Sequence, residues 1–356
     1  MDLKFVPCTL TRKVLDPCFF PTLEVRMTNP SRTQERNDAI GAIEVTGETM
    51  KLSPNMEAQI RQQVADALTV HPVEGTYVEH RFKTPTLLAR ADATVLDPQL
   101  TTCPDTGDLV LDGSAAALYE AEIRPAGAES LAKTDPVFAS KLARLRSQKS
   151  WPNHVVVISP GHGGLDTHLG PHQTLTLEEY LAIEEAQRPP VLARVRPSEL
   201  TADSRWNELL PRSVGPLDEN KSYGCLLGWW NCVSYEHHEL LPWASSFVLK
   251  PLRGSWAEDV VVWSPGNRKI GHTKSRIKAA LKRHGMMVCQ PYQPPIATGD
   301  SEHPHMILRV FYGWRLGGQP EPAINRIMPL GGVTLARAHV VVHGATDTRV
   351  GLLHVG

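Results

Sequence analysis

The chain is expected to have a mixed α/β (α+β) fold, and three observations support this. Short runs rich in β-branched and aromatic residues, such as HVVVIS (154–159) and HMILRVFYGW (305–314), have the length and composition of strands. Between them lie segments with apolar residues at helical spacing, as at Met56, Ile60, Val64 and Leu68. The 29 prolines and 26 glycines cut the chain into many short elements without any internal repeat. Helices that separate hydrophobic strands argue for mixed sheets with packed helices rather than a sandwich.

In chain order, residues 1–80 form an N-terminal region without an assignment, apart from a helix within 51–70. TPTLLARADATVL (84–96) and LVLDGSAAALYEAEIRP (109–125) read as two strands joined by a loop containing CPDTGD, within a block at 81–130. NHVVVISPGHGG (153–164) reads as a buried strand running into a glycine turn, and an acidic helix follows near 175–185, giving an α/β piece at 150–205. The remainder, 206–356, holds a helix around 221–231, a hairpin at 247–263 and a basic helix at 272–284. Its last strands are MMVCQ, HMILRVFYGWRL and GGVTLARAHVVVH.

At 356 residues the chain has room for roughly two domains and a large core. Lys and Arg total 37 against 38 Asp and Glu, so no net basic field favours nucleic acid or anionic lipid, and the expected partner is small. The oligomeric state is left open. Charges together with Pro7 and Pro17 interrupt the N-terminus, and no run approaches the ~20 apolar residues of a membrane span, so a cytoplasmic setting is expected. Cys8, Cys18, Cys103, Cys225, Cys232 and Cys289 form no CxxC pair, which suits reduced thiols.

Two groups of residues carry candidate chemistry. In FVLKPLRGSWAEDVVVW (247–263) an apolar strand ends on Lys250, and a turn with Arg253 and Gly254 leads into a second strand. An ammonium and a free glycine amide at such a turn suit polyphosphate oxygens, although a Lys-Pro edge turn has the same pattern. The second group is acidic. Residues two apart on a strand share a face, so Arg90 and Asp92 emerge together with Leu88, as do Glu120 and Glu122. Carboxylates in apolar strands need a cation. Either magnesium on Asp92, Glu120 and Glu122 or pairing with Arg90 and Arg124 supplies one.

Four segments in order resemble the synthetase domain of glutathionylspermidine synthase and its ATP-grasp relatives, over about two thirds of the chain. They are RAD (90–92) with EAE (120–122), NKSYGCLLGWWNCVSYEHHELLP (220–242), VLKPLRGSWAEDV (248–260) and GGVTLAR (331–337). The resemblance implies an ATP-grasp-like fold with a nucleotide-clamping lid hairpin about 247–290 and an inserted α/β subdomain. It implies an ATP- and magnesium-dependent ligase joining a small-molecule or peptide carboxylate to an amine acceptor through an acyl phosphate. Under it Lys221, Lys250 and Gly254 contact ATP phosphates, and Gln290 and Tyr292 lie at the adenine. Asp92, Glu120 and Glu122 hold magnesium, and Arg90 and Arg337 face the moving phosphoryl group.

Departures are visible. Glu122 stands where the family has asparagine, and the lid reads GSWAED, with Trp256, Glu258 and Asp259, rather than a glycine-rich run. Two other readings accompany the ligase. VVVISPGHGGLDTHLGPH (155–172) is superficially similar to the opening of zinc-dependent cell-wall amidases, with His162, Glu178 and His237 or His238 as ligands. A nucleotide-binding homologue without turnover is the other.

Overall fold

The computed structural model describes residues 45–70, 86–122, 128–149, 151, 155–158, 174–195, 197–213, 221–253, 259–266, 270–315, 323–340 and 348–355. The first part of the chain runs β1 (Val45–Leu52), α1 (Pro54–Val70), β2 (Thr86–Leu96), β3 (Gln99–Thr102), β4 (Leu109–Asp112), β5 (Ala115–Glu122), α2 (Ala128–Thr134) and α3 (Pro136–Arg146). Then come β6 (Val155–Ile158), β7 (Thr174–Leu175), α4 (Leu177–Leu181), β8 (Val191–Arg194), α5 (Pro197–Ala202), α6 (Ser222–Leu226) and β9 (Asn231–Ser234). The last are β10 (Phe247–Pro251), β11 (Val261–Trp263), α7 (Ile270–His284), β12 (Met286–Pro291), β13 (Ile296–Ala297), β14 (His305–Arg315), β15 (Ile327–Arg337) and β16 (Arg349–His354). The fold is α+β with mixed sheets, as expected for an ATP-grasp-like architecture.

The chain divides into two compact units. The larger holds a sheet in the order β3-β4-β1-β16-β15-β14-β2-β5, with β13 paired to β14. β1 runs parallel to β4 and β16, and the other pairs are antiparallel. α1 buries Met56, Ile60, Val64 and Leu68, the predicted stripe, and the Ser53 hydroxyl accepts from the Met56 N–H at 3.2 Å as its cap. Its polar side protects the sheet edge. Gln59 and Gln63 accept from the Ala116 and Leu118 amides of edge strand β5, each at 3.0 Å, and Gln63 donates to the Ala116 carbonyl at 2.8 Å. These bonds occupy backbone groups that an open edge would offer to another chain.

α3 starts where Asp135 accepts from the Val137 and Phe138 amides, with Pro136 in the first turn. It sets Phe138, Leu142 and Leu145 against Leu88, Ile307, Phe311 and Val333, covering part of one sheet face. The same unit contains a three-stranded parallel sheet, β7-β6-β8, with α4 alongside. A Thr176–Glu179 capping box opens α4, and Val157, Leu177, Tyr180, Val191, Trp206 and Leu209 form a separate core. The glycine turn expected after β6 lies outside the described residues.

The smaller unit holds the four-stranded antiparallel sheet β11-β10-β12-β9. α7 buries Ile277, Ala280 and Leu281 against Phe247, Leu249, Met287 and Cys289, leaving Lys274, Arg276, Lys278, Lys282 and Arg283 exposed as a basic outer face. Three local expectations are corrected. CPDTGD joins β3 to β4 rather than β2 to its partner, because the chain reverses again at Gly113, where a Cβ would run into Val95. The helix expected over 221–231 ends after Leu226, since Gly228 takes φ +71° and the chain turns into β9. Cys225 and Cys232, expected as thiols, form a disulfide with Cα atoms 6.2 Å apart.

Candidate functional site

In the larger unit β2 pairs with β5 so that Asp92 faces Glu120 and Arg90 faces Glu122. Both predicted parities hold: Leu88 packs in the core under α3, and Arg90 and Asp92 continue the same face beyond it. β14 adds a residue that the sequence reading missed. Arg309, in register with Asp92, donates from Nε to Oδ1 and from Nη2 to Oδ2, each at 2.8 Å. This is a bidentate, partly buried pair of the kind that fixes both orientation and charge. Arg90 lies 3.3 Å from Glu122 and 3.9 Å from Asp92, so the cluster alternates sign across three strands.

Burial works to raise the Asp92 carboxyl, and the guanidiniums of Arg309 and then Arg90 more than offset it, holding the group below the usual carboxylate range. Glu120 pushes the other way, which places its charge close by. Arg337 shares this face but pairs with His305, four residues along β15 from Val333, which sits in the row with Arg309 and Asp92. At ~3.3 Å per residue that is roughly 13 Å along the strand. The structure therefore gathers Arg90, Asp92, Glu120, Glu122 and Arg309, and sets Arg337 apart from them.

Asp92 is committed to Arg309, and no group of three or more His, Cys, Asp or Glu side chains is placed to hold a metal among the described residues. The donor set falls short of an all-protein cage. Glu120 and Glu122 still fit a magnesium ion that takes its other ligands from phosphates and water, the usual arrangement for that ion. A catalytic zinc site needs three protein ligands. His162 lies outside the described residues, and Glu178, His237 and His238 form no such group.

In the smaller unit, β10 turns Phe247 and Leu249 into the core and Val248 and Lys250 to the opposite face. Gln290 pairs with Val248, so Lys250 and Gln290 are diagonal neighbours on that face. The Lys221 amide donates to the Leu252 carbonyl at 2.9 Å, which ties the start of α6 to the end of the Lys250 strand. Tyr292 follows directly, its amide donating to the Ser246 carbonyl at 3.2 Å, and partial burial raises its phenol. Lys250 Nζ sits 5.9 Å from the centre of the Trp230 ring, within cation–π range. Gly254 lies outside the described residues. The structure thus collects Lys221, Lys250, Gln290 and Tyr292 within one unit.

No family model matches the chain, and no curated protein matches it. Among solved structures, a glutathione synthetase-like effector from Globodera pallida in its apo form is 12% identical, with 85% of each chain covered and a TM-score of 0.36. D-cycloserine synthetase is also 12% identical, with 63% of this chain and 86% of that one covered and a TM-score of 0.29. Among the described residues no helix is long and apolar enough to cross a membrane.

Proposed function

We propose that the protein is an ATP- and magnesium-dependent carboxylate–amine ligase that forms an amide bond through an acyl phosphate, in a cytoplasmic setting. The observation that carries this reading is that Lys250 and Gln290 share one face of the small antiparallel sheet, with Lys221 tied by its amide to the end of β10 and Tyr292 directly after β12. Lys250 in that strand and Lys221 tied to its end supply point charges suited to phosphate oxygens. A buried glutamine beside a partly buried tyrosine suits a flat heterocycle with hydrogen-bonding edges. The order of the motifs along the chain supports the same reading.

In this reading Glu120 and Glu122 hold magnesium, which when bound neutralises charge on the β- and γ-phosphates. Asp92 orients and balances Arg309. Arg90, already paired with Glu122, stabilises charge spreading over the phosphoryl group, and Arg337, set apart along the face, has no part in that contact. A substrate carboxylate oxygen takes the γ-phosphoryl group of ATP as ADP leaves, and the acceptor amine attacks the acyl carbon of the resulting acyl phosphate, expelling inorganic phosphate and losing a proton to solvent. The chain contributes alignment and fixed positive charge.

Release of ADP from ATP and magnesium, screened against amino acids, thiol peptides and polyamines, tests the ligase. Lys250→Ala is expected to abolish the rise in melting temperature that ATP gives the wild type. Unchanged protection in that variant overturns the assignment. ATP protection without ADP release under any acid and amine pair leaves a binding protein in place of an enzyme.

A further inference from the structure

We propose that Cys225 and Cys232 form a reversible thiol–disulfide switch that sets nucleotide affinity, the oxidised chain binding more tightly. The proposal rests on the nucleotide reading of Lys221 and Lys250. Cys232 pairs in register with Val288 on one side of β12, and Lys250 pairs with Val288 on the other. Val233 points into the core, so Cys232 and Lys250 lie in one row on the opposite face, two strand spacings or roughly 10 Å apart. Cys225 sits on α6 just after Lys221, whose amide is held by the Leu252 carbonyl. The bridge therefore joins the segment that starts at one lysine to the strand row that ends at the other.

The loop it closes is built around Trp230. The Trp230 amide donates to the Gly224 carbonyl at 3.1 Å, its indole lies where a Cβ on Gly224 would fall, and its ring centre is 5.2 Å from that of Tyr223. Lys250 rests over this indole. Opening the bridge frees the ends of the loop that carries the platform for Lys250 and the turn beside Lys221. Ordering that loop again on binding costs affinity, because a covalent clip no longer does it in advance.

Among the described residues the other thiol in this unit is unsuited to such chemistry: burial pushes Cys289 up to about 12, which keeps it protonated and inert. Cys232 is less buried than Cys225 and is the sulfur an incoming thiolate meets first. Oxidation proceeds by exchange with a small-molecule disulfide. The Cys232 thiolate attacks it and expels one thiol, and the Cys225 thiolate then displaces the second half. Two electrons and two protons leave the protein as two thiols of the co-reactant, and a dithiol reductant reverses the exchange.

The test uses the full chain, oxidised with glutathione disulfide or reduced with dithiothreitol. Alkylation followed by peptide mass analysis should show 225 and 232 protected only after oxidation. ATP affinity, read by calorimetry, should fall about tenfold on reduction, as expected from re-ordering two cationic side chains and their loop. The Cys225→Ser/Cys232→Ser variant should bind like the reduced protein and ignore the oxidant. Equal, measurable affinity in both forms overturns the switch and leaves the nucleotide reading standing. Binding in neither form, with 225 and 232 still protected after oxidation, overturns both, and alkylation at both positions after oxidation overturns the disulfide itself.

Discussion

At the scale of single residues, the Asp92–Arg309 pair balances charge on the acidic strands. Its signal was present in HMILRVFYGWR, where one arginine interrupts an apolar strand on the parity of Ile307 and Phe311, and a buried charge there requires a partner. What the sequence could not show was which strand lies beside β14, and hence that Asp92 would meet Arg309. Removing the arginine leaves a buried carboxylate with its strongest neighbour gone, so Arg309→Met is expected to destabilise the larger unit by about 3 kcal/mol, read by urea unfolding. The pH dependence has a definite sign. Asp92 titrates below its unfolded value, so its contribution is complete above pH ~4 and drains away as pH falls through the lower folded value. In Arg309→Met the gain in stability from acid to neutral pH should shrink, and an unchanged slope of stability with pH would show that Arg309 does not hold the charge.

At the scale of elements, short local signals set most of what was legible. α1 and α7 follow their apolar spacing closely, and β2, β12 and β14 appear where runs of branched and aromatic residues predict them. β1 and β16 escaped notice because they join the sheet through parallel and long-range pairings, which leave no turn signature nearby. The short α6 and its disulfide were hidden for a related reason: WW after a glycine looks helical by composition, and only the packing of Trp230 on Gly224 shows that the chain folds back. That packing gives a direct test. Gly224→Ala pushes a methyl group into the indole and should destabilise the smaller unit by about 2 kcal/mol with a shift in tryptophan emission. α3 tests capping instead. Asp135→Ala should cost about 1 kcal/mol, and Asp135→Asn, which keeps an acceptor for the Val137 and Phe138 amides, should cost much less.

At the scale of the whole molecule, the chain returns to its early strands after completing the smaller unit. Residues 293–356 join β2 and β5 in one sheet, although 221–292 have a core of their own built on Leu281, Phe247 and Met287. The candidate residues divide in the same way: the cationic and amide-bearing set belongs to the smaller unit, and the acid–arginine cluster to the larger. Separate cores predict separate opening, because cooperativity follows contiguous buried contacts. Leu281→Ala removes a fully buried side chain from the smaller unit alone and should weaken it by about 3 kcal/mol. Native-state hydrogen exchange should then show protection lost across β10, β12 and α7 while the amides of β14 and β15 keep wild-type rates at low denaturant. Equal loss of protection in β14 would mean that the chain opens as one cooperative body, and the division of the candidate residues between two stability units would have no thermodynamic counterpart.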